Sequence, residues 1–352
     1  MINRRKTKQI SIGNVKVGGD APISVQSMCN TDTRNVKETL DQIAELADAG
    51  CEIIRLAILN KDAADALKEI TKKSPIPVVA DIHFDYRLAL QSIENGVAAL
   101  RLNPGNIGKR ENVEKVVNLA KINNIPIRIG INAGSLEKKL KELDISLAEK
   151  MVMSAEGHIK FLEDLDFDKI KISLKSSDVV STIEAYQLFS EKYDYPVHVG
   201  LTEAGTLKGG LVKSSVGIGS LLMQGIGDTI RVSLTENPLE EVYAGYSILK
   251  ALNLRKKGVN FISCPTCGRT QIKLIDLAKR VEERFRDLDA NITIATMGCA
   301  VNGPGEASSA DFGIAGGINE GYIFKKGEII ARVPENQLLD ELEKQIKAEL
   351  NM

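Results

Sequence analysis

Three cysteines near the end of the chain have the spacing of a metal or redox site. Cys264 and Cys267 form a C-x-x-C pair in the segment SCPTCGRT, and Cys299 lies in the glycine-rich segment MGCAVNGPGEA. Zinc, an iron–sulfur cluster and a redox dithiol are the three classes of site compatible with this set. A dithiol leaves Cys299 without a role, and zinc commonly takes a fourth cysteine or a histidine, whereas no histidine follows His198. The pattern therefore favours an iron–sulfur cluster.

The fourth ligand of such a cluster has to come from a residue other than cysteine. Cys29 and Cys51 lie more than two hundred residues before Cys264. Glu306 lies in the same loop as Cys299, and a carboxylate on iron exchanges more readily than a thiolate, which suits a site that substrate must enter. We predict Glu306 as the fourth ligand; the alternative is a solvent-exposed loop residue.

A second set of polar residues occurs at the ends of apolar runs in the first part of the chain. The set comprises Arg55, Asp81, His83, Arg101, Asn103, Arg128, Asn132, Lys175, Thr202, Glu203, Arg231 and Ser233. Its four arginines and one lysine, if they converge, repel one another and are costly to bury unless an anion lies among them. Because guanidinium groups suit phosphate oxygens, the set predicts a di- or tri-anionic ligand. The alternative is that single cations pair with loop carboxylates.

Eight short runs rich in β-branched residues predict the strands that carry these side chains. The runs cover residues 23–28, 52–58, 77–83, 98–104, 126–132, 169–175, 196–202 and 229–235, with helical periodicity between them. Alternating strands and helices predict a parallel sheet, and eight units predict a closed (β/α)8 TIM-type barrel with its active site at the carboxyl ends of the strands. An open doubly wound sheet is less favoured, because no strand leads into a Gly-x-Gly-x-x-Gly turn.

The pattern changes near Lys257. Beyond it follow the cysteine pair, an amphipathic helix within residues 270–288, the glycine loop, a hairpin at 321–333 and a closing helix from about Glu335. We therefore predict a barrel domain over residues 1–256 and a small α/β iron–sulfur domain over residues 257–352. Ahead of the first strand, the segment QISIGNVKVGG alternates around Gly13 and predicts a hairpin at the barrel floor.

Composition restricts the classes of partner. A formal net charge of -1, with 4% aromatic residues and no tryptophan, argues against nucleic acid and against a membrane surface. The basic first residues are not followed by an apolar stretch, so a secretory signal is not predicted, and no later run has the length of a membrane span. An odd number of cysteines, five, fits a reducing compartment. We expect a cytoplasmic protein.

Segments from both parts of the chain resemble the family of 4-hydroxy-3-methylbut-2-enyl diphosphate synthases in its bacterial two-domain form. They are VQSM, CEIIRLA, ADIHFDYRLAL, RLNPGN, IRIGINAGSL, GLTEAG, SCPTCGRT and GCAVNGPGEA. The resemblance implies an iron–sulfur oxidoreductase of the methylerythritol phosphate route that receives electrons from flavodoxin or ferredoxin. Its reaction opens and dehydrates 2-C-methyl-D-erythritol 2,4-cyclodiphosphate to (E)-4-hydroxy-3-methylbut-2-enyl diphosphate. The resemblance also implies a homodimer in which the cluster domain of one subunit caps the barrel of its partner.

The same resemblance assigns roles to the residues named above. It implies a [4Fe–4S] cluster on Cys264, Cys267 and Cys299, with Glu306 as the fourth ligand. The substrate's diphosphate would be bound by Arg55, Arg101, Arg128 and Lys175, with Asn103, Asn132, Arg231 and Ser233 nearby. The reacting carbons would be lined by Asp81, His83, Thr202 and Glu203, of which Glu203 is our candidate proton donor.

One residue departs from the family pattern, and one alternative activity stays open. Cys29 stands where a threonine is common, and we interpret it as a small neutral replacement rather than a further ligand. An iron–sulfur-dependent dehydratase of a phosphorylated substrate also needs clustered cations and an open iron, but it would turn over without an external reductant.

Overall fold

The computed structural model describes residues 2–103, 106–299, 305 and 307–352. The chain divides into two compact units, Met1–Arg255 and Lys256–Met352. The division falls one residue before the boundary expected from the sequence.

The described residues of the first unit contain ten strands. In chain order they are β1 (Ile10–Ile12), β2 (Val15–Val17), β3 (Ser24–Met28), β4 (Ile53–Ala57), β5 (Val78–Asp81), β6 (Ala99–Leu102), β7 (Ile127–Asn132), β8 (Ile170–Lys175), β9 (His198–Val199) and β10 (Thr229–Ile230). Strands β3 to β10 each lie within one of the eight predicted runs. Pro104, the last residue of the fourth run, lies outside the described residues.

Strands β3 to β10 form a parallel barrel, which confirms the predicted (β/α)8 fold. Their hydrogen-bonded order is β8-β7-β6-β5-β4-β3-β10-β9. A parallel bridge between Ile172 and Val197 joins β8 to β9 and closes the ring. The carboxyl ends of all eight strands therefore meet at one end of the barrel.

Helices surround this barrel. They are α1 (Val36–Asp48), α2 (Lys61–Lys73), α3 (Tyr86–Glu94), α4 (Arg110–Ile122), α5 (Lys138–Lys141), α6 (Leu147–Glu163), α7 (Val179–Lys192), α8 (Leu207–Met223) and α9 (Pro238–Ala251). Six of them begin at a side chain that accepts a backbone N–H of the first turn: Asn35, Asn60, Asp85, Ser146, Asp178 and Asn237. Such caps satisfy donors that the helix itself leaves open.

The alternation of side chains along each strand separates the core from the site. On β4, Ile54 and Leu56 point outward into the apolar layer beneath the helices. Ile53 and Arg55, on the opposite face, point into the barrel interior. The interior is apolar at the floor, where Ile53 packs with Val79 and Ala99, and it becomes cationic towards the carboxyl ends.

The predicted N-terminal hairpin is present at the barrel floor. Strands β1 and β2 pair antiparallel, with Ile10 opposite Val17. Ile10, Ile12 and Val17 pack against the first residues of the barrel strands in the floor cluster that contains Ile53. Gly13 forms the turn with a φ of 56°, a left-handed conformation that glycine adopts without steric cost.

The second unit contains a five-stranded sheet in the order β11 (Asn260–Ser263), β12 (Thr293–Met297), β13 (Phe312–Gly316), β14 (Glu320–Lys325) and β15 (Glu328–Pro334). The first three strands are parallel and the last two form the predicted hairpin. Helices α10 (Leu274–Phe285) and α11 (Leu338–Leu350) pack on the sheet. Both are shorter than the sequence predicted. In the described part of the chain, none of the helices combines the length and apolar character needed to cross a bilayer.

Candidate active site

Most of the predicted barrel residues lie in the later part of a strand or just after it. Arg128 is the exception: it is the second residue of β7, nearer the amino end of its strand than the sequence predicted. Arg55, Asp81, Arg101, Arg128, Asn132 and Lys175 lie within β4 to β8, and His83, Asn103, Thr202, Glu203, Arg231 and Ser233 follow β5, β6, β9 and β10. Five of them are almost fully buried, since Asp81, Arg101, Asn103, Arg128 and Lys175 have residue exposures of 3%, 8%, 8%, 3% and 7%. One end of the barrel therefore gathers the set except for Arg128, whose backbone lies level with Lys171 of β8.

Asp81 is the carboxylate around which three of these residues assemble. Its oxygens lie 3.1 Å from Arg101 Nη1, 3.7 Å from Arg55 Nε and 3.4 Å from His83 Nε2. Burial by itself raises the pKa of Asp81, but the attraction of Arg55, the hydrogen bond from His83 and the attraction of Arg101 outweigh it and hold that pKa well below its ordinary value. Asp81 is thus an anion that orients two guanidinium groups.

Arg231 is held by partners that the sequence did not indicate. Its guanidinium lies 3.1 Å from Glu241, a buried carboxylate in the first turn of α9. The sulfur of Met28 accepts hydrogen bonds from Arg55 Nη2 at 2.7 Å and from Arg231 Nη1 at 3.8 Å. Arg55 and Arg231 are therefore fixed next to each other across the barrel interior.

Arg128 and Lys175 lack such carboxylate partners among the described contacts. Arg128 Nε and Nη1 are buried without a hydrogen-bond partner in the described part of the chain. Burial, followed by repulsion from Arg55 and Arg101, lowers the pKa of Arg128 well below its ordinary value. Burial and repulsion from Arg128 do the same to the pKa of Lys175. An anion placed here would relieve both penalties, because it supplies acceptors and opposite charge.

Two glycines make room for these cations. A Cβ on Gly130, in β7, would lie 2.6 Å from Arg101 Nε. A Cβ on Gly200, just after β9, would lie 2.9 Å from Lys175 Nζ and 2.3 Å from the carbonyl oxygen of Arg231. The close approach of side chain and backbone therefore requires glycine at these positions.

Glu203 has an unusual backbone conformation. Its φ is 54°, in the left-handed region that costs a residue with a side chain about 1 kcal/mol or more. It lies with Thr202 in the short loop between β9 and α8, and its side chain is exposed. The glycine-rich stretch that follows forms helix α8.

The three cysteines of the second unit lie at or near the carboxyl ends of neighbouring strands. Cys264 follows β11 and Cys299 follows β12, and these strands pair in parallel. The backbone N–H of Gly298 donates to Cys264 Sγ at 3.1 Å. A backbone hydrogen bond from Arg269 is the main cause that lowers the pKa of Cys267. The N–H donor at Cys264 and the lowered pKa of Cys267 suit a thiolate-bound cluster.

The ligand set itself is described only in part. Glu306, the predicted fourth ligand, lies outside the described residues. Among the described residues, no three His, Cys, Asp or Glu side chains converge as they would on one metal ion. A cluster of four irons places each ligand on a different iron, so its cysteines need not converge on one point. All three cysteines are free thiols, and we regard the donor set as fitting a cluster.

Two family models match the chain. The GcpE TIM-barrel domain matches residues 7–246, and the GcpE protein C-terminal domain matches residues 260–348. The chain belongs to the GcpE family.

Curated relatives of this GcpE chain share most of its sequence. The relative from Geobacter sulfurreducens is 60% identical over 340 residues, 96% of each chain. Those from Dehalococcoides mccartyi and Clostridium perfringens are 59% and 57% identical over 98% of this chain and 99% of theirs. All three are named 4-hydroxy-3-methylbut-2-en-1-yl diphosphate synthase (flavodoxin).

Solved structures with similar folds are far more distant in sequence. The dihydropteroate synthase of Yersinia pestis superposes with a TM-score of 0.53 at 12% identity, covering 70% of this chain and 99% of its own. The enzyme from Xanthomonas albilineans in complex with 7,8-dihydropteroate gives 0.51 at 11% identity, covering 70% and 97%. At this identity the likeness shows the barrel fold of the GcpE chain alone.

Cys29, the departure from the family pattern, is buried directly after β3. Its backbone N–H donates to the carbonyl of Arg55. Burial is the main cause that raises the pKa of Cys29 to about 12. The side chain is therefore a neutral thiol at neutral pH, in keeping with its interpretation as a small neutral replacement.

Proposed function

We propose that this chain is a 4-hydroxy-3-methylbut-2-enyl diphosphate synthase. Its reaction is the reductive ring opening and dehydration of 2-C-methyl-D-erythritol 2,4-cyclodiphosphate to (E)-4-hydroxy-3-methylbut-2-enyl diphosphate. A carbon–oxygen bond to phosphate breaks, a hydroxyl leaves as water, and two electrons and two protons enter. The observation that carries the proposal is the near full-length identity with relatives of that name.

The barrel end is the proposed site for the diphosphate. Arg128 and Lys175 are buried without carboxylate partners among the described contacts, and Arg55, Arg101 and Arg231 surround them. A cyclic diphosphate supplies the oxygens and the negative charge that this arrangement needs. Asn103, Asn132 and Ser233 lie at the same end and are proposed as hydrogen-bonding partners of the substrate.

Four residues have proposed roles near the reacting carbons. Asp81 holds Arg55, Arg101 and His83 in place and stays ionised, so it orients the cations rather than transferring a proton. Glu203 is the proposed proton donor, supported by a left-handed backbone that directs a strained residue to the barrel mouth. His83 and Thr202 complete the proposed wall around the substrate's carbons.

The proposed cofactor is a [4Fe–4S] cluster on Cys264, Cys267 and Cys299, with Glu306 as the fourth ligand. When bound, such a cluster supplies the electrons of the reduction one at a time. The N–H group of Gly298 at Cys264 stabilises thiolate at this position.

The remaining partners follow from the same proposal. Flavodoxin is the proposed electron donor, in line with the names of the relatives. The proposed assembly is a homodimer in which the cluster domain of one subunit serves the barrel of the other, and the proposed location is the cytoplasm. A strictly monomeric protein with full activity would contradict the assembly but not the reaction.

The test is anaerobic turnover. The protein is loaded with iron and sulfide, supplied with the cyclodiphosphate and with dithionite plus a viologen mediator, and the hydroxymethylbutenyl diphosphate is quantified. Arg128→Met removes a buried cation of the site, and Arg110→Met, on the exposed face of α4, is its matched control. We expect product from the wild type and from the control, and at least a hundredfold loss in the first variant, the size of a lost charged contact of about 3 kcal/mol.

Two results would overturn the proposal. Absence of product from a fully loaded sample would leave a GcpE-family barrel of other specificity. Consumption of the cyclodiphosphate without any reductant, to a dehydrated product at the same oxidation level, would favour the iron–sulfur-dependent dehydratase of a phosphorylated substrate instead.

A further inference from the structure

A second polar layer lies below the cations of the barrel mouth. Lys171, in β8, is only 3% exposed and points into the interior, four residues below Lys175 on the same strand face. Its Nζ lies 3.4 Å from the hydroxyl of Thr229 in β10. The same hydroxyl lies 2.8 Å from His198 Nδ1 in β9. Lysine, threonine and histidine thus form one hydrogen-bonded chain across three strands.

The charges that face this chain are mostly positive. Lys171 pairs directly across the sheet with Arg128 of β7. Asp228, the carboxylate whose charge acts on Lys171, already pairs with Arg4 at 3.2 Å. The titratable and charged groups that face Lys171 and His198 from the surrounding elements are Arg55, Arg128, Lys175 and Asp228. Burial and repulsion from Arg128 hold the pKa of Lys171 well below its ordinary value, and burial and the same cations lower that of His198.

Acceptors for an ammonium group are nevertheless in place around Lys171. A cavity of about 10 Å³, the size of roughly one water molecule, is lined by Gln26, Arg128 and Lys171 together with apolar side chains. The side-chain oxygen and nitrogen of Gln26 are buried without a hydrogen-bond partner among the described residues. The amide oxygen of Gln26 and the hydroxyl of Thr229 are both able to accept from a protonated Lys171.

We propose that Lys171 takes up a proton when the diphosphate of the substrate binds to Arg128 beside it and Lys175 above it, so that binding and protonation of the barrel interior are coupled. The inference rests on the proposed function for the identity of the anion. An anion next to Arg128 offsets the repulsion that lowers the pKa of Lys171, so it favours the ammonium form. By linkage, protonation of Lys171 in turn strengthens binding of the anion.

The sign of the pH dependence follows from this coupling. Binding raises the pKa of Lys171, so a proton is taken up wherever the pH lies between the values of the free and bound protein. In that window the affinity for the anion falls as the pH rises, by about tenfold per pH unit for one proton. Lys171 is a positioning residue in this scheme, because it acts on the substrate through Arg128.

The test is calorimetric. The cyclodiphosphate is titrated into the cluster-loaded protein without reductant, in buffers of different ionisation enthalpy, so that the slope of heat against buffer enthalpy gives the protons taken up. Lys171→Met keeps the volume of the side chain and removes the titrating group. Lys169→Met, at the partly exposed residue just before β8, is the matched control. Sulfate, which carries no titrating proton in this range, is a second probe.

We expect uptake by the wild type and by Lys169→Met, and little uptake and a flat pH dependence of affinity in Lys171→Met. Full uptake in Lys171→Met would assign the proton to Lys175 or His198 and overturn the inference. If Lys171→Met does not fold, Thr229→Val serves as a second variant. It removes a hydrogen-bond acceptor of Lys171, so the pH range in which the proton is taken up should move to lower pH. An unchanged pH range would contradict the proposal. Failure of the cyclodiphosphate to bind, with sulfate still coupled to protons, would count against the proposed function alone.

Discussion

Replacement of Asp81 by asparagine tests whether the buried cations of the barrel destabilise the folded state when a carboxylate does not compensate their charge. Asp81 Oδ1 lies 3.1 Å from Arg101 Nη1 and Oδ2 lies 3.7 Å from Arg55 Nε, with side-chain exposures of 4%, 10% and 13% for the three residues. Removal of one partner from a buried ion pair costs about 3–5 kcal/mol, because the other charge is left uncompensated. We expect Asp81→Asn to lose an amount in that range at neutral pH.

Guanidinium titrations followed by circular dichroism and tyrosine fluorescence measure the loss. Asp85→Asn is the matched control, because Asp85 pairs with Arg87 at the surface and asparagine caps helix α3 equally well; its cost should stay below about 1 kcal/mol. Inorganic diphosphate at saturating concentration should recover part of the stability of Asp81→Asn, by about 2.7 kcal/mol at a hundred times its Kd.

The pH dependence gives an independent check on the same residue. Because the pKa of Asp81 is held below its unfolded value, its contribution is complete above about pH 4 and is lost as the pH falls further. The wild type and Asp81→Asn should therefore converge in acid. A loss no larger than that of Asp85→Asn, unchanged by diphosphate, would refute the view that Asp81 offsets buried positive charge.

Three further predictions follow from single contacts. Gly130→Ala should raise KM about tenfold or more in steady-state turnover, because the new Cβ lies 2.6 Å from Arg101 Nε and displaces it, a loss of about 1.4 kcal/mol in binding. Glu203→Gln should lower kcat by about a hundredfold or more with KM little changed, as measured in the same assay, since an amide cannot donate the proton. Gly313→Ala should destabilise the second unit by about 1–3 kcal/mol in chemical unfolding, because its Cβ would lie 2.2 Å from the ring of Phe324.

The sequence predicted the barrel because each strand is a short β-branched run between turn residues. The sequence pattern overestimated the length of the last two strands: β9 and β10 have only two residues each, whereas seven residues were predicted for each. Near Gly200 the carbonyl of Arg231 approaches so closely that a Cβ would lie 2.3 Å from it. Strand length thus depends on backbone contacts between distant segments, which hydrophobic patterning does not record.

The cations inside the barrel were easier to predict from the sequence than the residues that contact them. Lys171 carried a readable signal, because it is four residues from Lys175 and so shares its strand face. Glu241 carried none, since an acidic residue in the first turn of a helix is common for electrostatic reasons unrelated to a site. Met28 resembles an ordinary core residue, and its contact with two arginines depends on the barrel's closure.

The seam between β8 and β9 is held in part by a side chain. The hydroxyl of Tyr186, on α7, accepts the N–H of Leu174 in β8 and donates to the carbonyl of His198 in β9. Backbone hydrogen bonds persist after most substitutions, proline excepted, but a hydrogen bond made by a tyrosine hydroxyl is lost when that tyrosine is replaced. At this seam, inherited variation therefore acts directly on whether the ring stays closed. In an alignment of the family, the column of Tyr186 would therefore show selection for barrel closure. The columns of the active-site residues would show selection for catalysis separately.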